Sequence, residues 1–139
     1  MKNVRIIFSG LFLLLAATAF AQNQEVIFKG EWERESRWTT FEGSWKIIKT
    51  GDSFTVELGD DFEAKKAPDL KIFLSKASLD KISGKNAVSL GEPVLVAKLT
   101  SYKGKASYKI PAGINPADFT TIIIHCEQYA KLWGGSPLK

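Results

Sequence analysis

Apolar residues recur at every second position through most of this chain, and that alternation restricts it to a fold made of strands. In Phe41-Glu-Gly-Ser-Trp-Lys-Ile47, the residues Phe41, Gly43, Trp45 and Ile47 share one face while Glu42, Ser44 and Lys46 take the other, because successive side chains of a strand point to opposite sides. Thr50-Gly51-Asp52 is a turn, after which Phe54, Val56 and Leu58 alternate with Thr55 and Glu57. The two segments predict a hairpin. Pro68-Asp69 introduces a strand over 70–74, and 94–99 is strongly apolar. Tyr102-Lys-Gly-Lys105 reads as a turn, with Ala106, Tyr108 and Ile110 on a return strand that Pro111 ends, since proline lacks the ladder donor. Residues 119–129 form the most apolar strand, and Leu132-Trp133 opens a last short one. The least regular stretch is 75–93. There Ser78 is placed to cap a short helical turn through Ile82, Ser83-Gly84-Lys85-Asn86 breaks it, and Leu79, Ile82, Val88 and Leu90 are expected to return to the core. Short strands with turn chemistry between them, and no long helical period, predict an all-β single domain. Its architecture is an antiparallel β-sandwich or a partly closed barrel.

The first residues obey a different rule. Lys2 and Arg5 precede an apolar run over 6–20, and Ala19-Phe20-Ala21 offers small residues where a signal peptidase reads. The run is short of the roughly 20 apolar residues of a bilayer span, lacks a basic stop-transfer flank, and is followed by no cysteine for a lipid anchor. Residues 1–21 are therefore expected to be a signal peptide, 22–29 a lead-in and 30–139 the β domain. The mature chain would be exported, to periplasm or exterior, with no transmembrane anchor. Loss of Lys2 and Arg5 removes two of the positive charges behind the formal +4. The remaining basic residues, Lys65, Lys66, Lys76, Lys81, Lys85, Lys98, Lys103, Lys105 and Lys109 among them, are interspersed with acids. No helical stripe gathers them, so a solvated surface is expected and nucleic-acid binding is not.

Cys126 is the only cysteine of the chain, so no internal disulfide can form, and in an exported protein such a residue is buried, paired between molecules, or chemically used. Strand parity places Cys126 with Ile122, Ile124 and, if the strand continues, Ala130 and Leu132. His125 falls with Thr121, Ile123, Glu127 and Tyr129. The first set reads as core and the second as a half-exposed surface. A thiol among isoleucines reacts slowly; a reactive thiolate needs a cation, a helix N-terminus or a metal. The adjacent residues supply none on that face, so a Lys or Arg would have to come from another strand. Cys126 is thus a small buried hydrophobe or a redox group, and His125 a surface histidine or a functional one. Trp45 alternates with core residues, whereas Trp32 and Trp38 lie among Glu31, Glu33, Arg34, Glu35 and Arg37. They either close the open end of the core or, with Tyr129 and His125, present a binding surface. Asp60, Asp61, Glu63 and Asp69 read as turn residues without metal-site spacing. No nucleophile elbow, phosphate loop or dinucleotide fingerprint occurs, and no stand-alone enzyme is expected.

Three segments together resemble the DM13 domain family: 41–51 running into Phe54-Thr-Val-Glu-Leu58 and Asp61-Phe62; Ala67-Pro-Asp-Leu-Lys-Ile-Phe-Leu-Ser75; and Ser107-Tyr-Lys-Ile-Pro111 through Phe119-Thr-Thr-Ile-Ile-Ile-His-Cys126 to Tyr129 and Trp133-Gly-Gly-Ser-Pro-Leu138. The resemblance covers roughly residues 30 to 138. It implies an extracytoplasmic β domain built around one cysteine at the end of a hydrophobic strand. The implied activity is electron transfer, through that thiol or a prosthetic group such as haem. Cys126 is the matching position; where the family usually has an aromatic residue before the cysteine, this chain has His125. Haem is the minor option. His125 and Cys126 diverge on a regular strand, no Cys-x-x-Cys-His is present, and a lone thiolate ligand would need a large apolar pocket. One cysteine cannot cycle through an internal disulfide, so the redox reading requires a partner, another extracytoplasmic protein. The alternative is a non-catalytic binding or structural module.

Overall fold

The computed structural model describes residues 22–139; the signal-peptide reading of 1–21 lies outside them. One antiparallel sheet contains β1 (Gln24–Glu31), β4 (Ser44–Thr50), β5 (Ser53–Leu58) and β9 (Ala106–Lys109), in the order β1-β4-β5-β9. A second contains β2 (Glu33–Arg34), β7 (Leu70–Ser75), β8 (Val94–Lys98), β10 (Thr121–Cys126) and β11 (Lys131–Pro137), in the order β2-β11-β10-β7-β8. A small pair, β3 (Phe41–Glu42) with β6 (Glu63–Ala64), completes the described strands. The sheets are antiparallel and do not close into a barrel, so of the two expected architectures the sandwich is the one adopted.

The predicted hairpin is β4-β5, with Trp45 opposite Leu58 and Ile47 opposite Val56. Gly43, at φ 112, interrupts the alternation between β3 and β4. A Cβ there would lie 2.5 Å from the Phe62 backbone, so only glycine fits both the space and the left-handed backbone. Residues 24–29, expected as part of the lead-in, belong to β1, which pairs along β4. The strand over 106–109 does not return to its predecessor. β8 stays beside β7, whereas β9 joins β5, so 99–105 is a crossover between sheets. The strand expected over 119–129 stops at Cys126. Residues 127–130 form a turn that ends with Ala130 at φ 50 and an Ala130 N–H bond of 3.2 Å to the Glu127 carbonyl.

Side chains of both sheets meet in one cluster that includes Trp45, Ile47, Val56, Leu58, Ile72, Leu74, Ile122, Ile124 and Cys126. Each isoleucine sealed there contributes about 1.5–3 kcal/mol relative to exposure. A second, smaller cluster lies on the other face of the five-stranded sheet. Phe73, Ile123 and Leu132 are covered there by Ile82 and Ala87 of the 76–93 excursion. Ala87 takes the place expected for Val88 and Leu90, which stay 39% and 37% exposed. The excursion is held by polar bonds: Ser75 Oγ to the Leu90 carbonyl at 3.0 Å, Thr121 Oγ1 to the Ala77 carbonyl at 2.7 Å, and Asn86 Nδ2 to the Lys81 carbonyl at 3.0 Å. Ser78 does precede a short helical turn, Leu79–Lys81, but its hydroxyl makes no capping bond.

Candidate functional site

Every residue of β10 is buried, from Thr121 to Cys126. This corrects the parity reading, in which Thr121, Ile123 and His125 face a half-exposed surface. Parity itself holds, but the 76–93 excursion covers the face that alternation alone leaves open. His125 is 1% exposed. Its Nε2–H donates to the Gly84 carbonyl at 2.8 Å, and its ring meets Phe73 edge-on at 6.4 Å. Nδ1 has no partner among the described residues. The imidazole thus anchors the excursion and offers nothing to solvent.

Cys126 has no exposed surface and packs in the core between the sheets. Its register neighbours are Leu70 on β7 and Lys131 on β11. Leu132 does not join it, contrary to the strand-continuation reading. The 127–130 turn and a register shift between Ile124 and His125 send Leu132 to the outer cluster and Trp133 inward, the re-aiming that a bulge produces. In register with Cys126 on β11 stands Lys131, an exposed residue whose ammonium lies 5.4 Å from the Trp133 ring centre. No short-range signal could have found it, because pairing of 126 with 131 depends on where the turn falls.

The end of the sandwich at Cys126 carries two connecting segments, one leading into β7 beside Leu70 and one leading out of β8. Segment 65–69 runs from β6 into β7, and 99–105 runs from β8 into β9. Tyr102 ties the two together, its hydroxyl donating to the Ala67 carbonyl at 2.8 Å. Trp133 Nε1–H donates to the Lys65 carbonyl at 3.1 Å, and the Lys65 N–H to the Thr40 carbonyl at 2.8 Å. At the end of the first segment Asp69 accepts the Gln128 N–H at 3.0 Å and lies 3.3 Å from the Lys71 ammonium, which also bonds Glu127. The Glu127 bond, then Asp69, holds the Lys71 ammonium above its ordinary 10.5. Asp61 is used elsewhere. It accepts the Ser44 N–H at 2.9 Å and the Ser44 hydroxyl at 2.7 Å, which hold its carboxyl below the ordinary 3.8. No three of His, Cys, Asp and Glu gather as a metal site among the described residues.

Trp32, one of the expected surface contacts, is 6% exposed. Its backbone N–H donates to the Gly43 carbonyl, and its ring packs on Phe41, Trp45 and Phe62 at 5.3, 5.9 and 6.4 Å. It closes the core. Trp38 and Tyr129 are instead 80% and 62% exposed. A groove of about 800 Å³ crosses the four-stranded sheet, lined by Lys29, Lys46, Glu57, Asp60, Lys105 and Ser107 among others, and Cys126 is not part of it. A fully buried sulfur leaves no room for a macrocycle against it, so the residues around Cys126 do not fit haem.

This arrangement defines a class: an antiparallel sandwich with one thiol sealed at the end of its central strand. The model of a family described as electron transfer DM13 matches residues 32–138, and the chain belongs to that family. No curated protein and no solved structure matches it. The family match begins after β1, whose pairing with β4 nonetheless builds one edge of the four-stranded sheet.

Proposed function

We propose that this chain is an accessory electron-transfer domain that works outside the cytoplasm, with Cys126 as its redox group and another protein as its counterpart. The leader-like residues 1–21 support export, and the family supports electron transfer. The observation that carries the assignment to Cys126 is its position. The chain's one thiol sits at the end of the central strand, in register with an exposed lysine and beside connecting segments joined by individual hydrogen bonds. Reaction requires those segments to open locally, at less cost than global unfolding. The Cys126 thiolate then attacks one sulfur of a partner's disulfide. A mixed disulfide forms, and the partner's other sulfur leaves as thiolate. A thiolate of a second, dithiol protein attacks the Cys126 sulfur and releases the partner's remaining thiolate. That donor's other thiolate then attacks its own sulfur in the new mixed disulfide, freeing Cys126 and leaving the donor as a disulfide, so that two electrons pass from donor to partner. One cysteine can shuttle a disulfide in this way but cannot store it alone.

Burial favours a second reading. Cys126 has no exposure while Trp38 and Tyr129 are largely bare, which is the pattern of a binding module with a structural cysteine. Incubating the folded protein with glutathione disulfide and weighing it by mass spectrometry separates the two. The redox reading expects one glutathione adduct on the native protein and none on Cys126→Ser. An adduct that forms only after denaturation leaves the binding module.

A further inference from the structure

Basic residues that are scattered in the sequence are brought together by the fold at the end of the sandwich that holds Cys126. The Lys65 backbone bridges two elements, its N–H on the Thr40 carbonyl and its own carbonyl on Trp133 Nε1. That places the Trp38 loop, the Lys65-Lys66 pair and the Trp133 ring side by side. Lys131 lies over that ring, and Tyr129 stands two residues earlier on the turn that follows Cys126. The Arg37 guanidinium stacks on Trp38 at 5.2 Å from the ring centre. All of these side chains except Trp133 are exposed.

The charge on this end is unbalanced. Among the described residues Arg37, Lys65, Lys66 and Lys131 make no ion pair, whereas the bordering acids Asp69 and Glu127 are engaged by Lys71. Glu33, Glu35 and Glu42 are the other exposed acids in or beside the loop, fewer than the exposed cations Arg34, Arg37, Lys65, Lys66 and Lys131. Two bare aromatic rings amid unpaired cations form a surface with a polar, charged rim and rigid anchors, the composition that concentrates binding energy at protein contacts. Unpaired cations favour a counterpart of opposite sign and speed its approach.

We infer that this end of the sandwich, formed by Arg37, Trp38, Lys65, Lys66, Tyr129 and Lys131, is the docking face for a protein that presents an acidic surface. The inference rests on the redox reading for its purpose, since a partner seated here lies over the connecting segments beside the thiol. It does not rest on that reading for its test.

The test uses a dye-labelled synthetic peptide rich in glutamate and its glutamine counterpart, with binding to the Cys126→Ser protein followed by fluorescence anisotropy. The glutamate peptide is expected to bind about ten-fold more tightly at low salt, with the advantage mostly lost in concentrated salt. The double variant Lys65→Gln, Lys66→Gln should remove most of the difference. Trp38→Ala should weaken binding without a change in charge. Equal binding of both peptides overturns the docking face, as does indifference to Trp38→Ala. So does binding to vesicles of anionic phospholipid in place of the peptide, which would make this a membrane-facing end. Because that protein has no thiol, these outcomes stand apart from the glutathione experiment, whose failure removes Cys126 chemistry and leaves the docking face intact.

Discussion

The two faces of β10 are buried to the same degree by different means. Toward the core, Ile122, Ile124 and Cys126 meet the aliphatic and aromatic side chains of a second sheet. On the other side, Ile123 and His125 are covered by one irregular segment that touches down through Ile82 and Ala87 and is pinned by side-chain hydrogen bonds. Equal accessibility does not mean equal resistance to opening. Sheet-on-sheet packing yields only with the whole domain, whereas a pinned excursion opens when a few polar bonds break. The end at Cys126 combines both: an aliphatic floor and connecting segments fastened by Tyr102 and Trp133.

The largest expected effect contrasts the two faces directly. Ile124→Ala should cost about 2–5 kcal/mol in urea unfolding, the range for a large buried residue cut to alanine in a core that cannot collapse. Ile123→Ala should fall at or below the low end of that range, because the excursion can settle into the gap. Equal losses would mean that the outer layer is as rigid as the inner one.

A smaller effect separates His125 from its neighbour. His125→Phe keeps the ring beside Phe73 but leaves the Gly84 carbonyl without its donor, a loss of about 1–3 kcal/mol if that carbonyl stays dry. Amide hydrogen exchange should quicken across 76–93, with little change in β4 and β5. Faster exchange throughout both sheets would show that the excursion is not a separate unit.

The smallest effect concerns the polar bonds between Asp61 and Ser44, away from the end at Cys126. Its carboxyl is held below the ordinary 3.8 first by the Ser44 N–H and then by the Ser44 hydroxyl. A depressed folded value means that the contribution is present above 3.8 and is lost as pH falls through the lower folded value. Asp61→Asn should therefore flatten the stability profile on the acid side. An unchanged acid limb would show that the Ser44 bonds do not couple to folding.

What could be read from the residues follows from these contrasts. The β4-β5 hairpin was legible because alternation and the Gly51-Asp52 turn act within one short stretch, and the burial of Cys126 among Ile122 and Ile124 followed from parity. The outer face of β10 was not legible. Its cover includes Ala87, too small to stand out beside Val88 and Leu90, and alternation reports a strand's faces without saying what lies on them. Trp32 and Trp38 share the same charged surroundings in sequence. Only the bond from Trp32 to Gly43 and the β2 crossing send one inward and leave the other bare. The basic end was hidden for a related reason, since Arg37, Lys65, Lys66 and Lys131 meet only after the crossovers are formed.

Access to the Cys126 sulfur is the most direct measure of the redox account. The rate of thiol modification in folded protein should be followed across low urea concentrations and compared with the rate of global unfolding, with Cys126→Ser as blank and Tyr102→Phe as probe of the connecting segments. The account predicts modification faster than unfolding and nearly independent of urea, quickened several-fold when the Tyr102 hydroxyl no longer holds the Ala67 carbonyl, in keeping with the loss of about 1 kcal/mol from one hydrogen bond. Modification that proceeds only at the rate of global unfolding, and that tracks it in every variant, would contradict the account and make Cys126 a core residue.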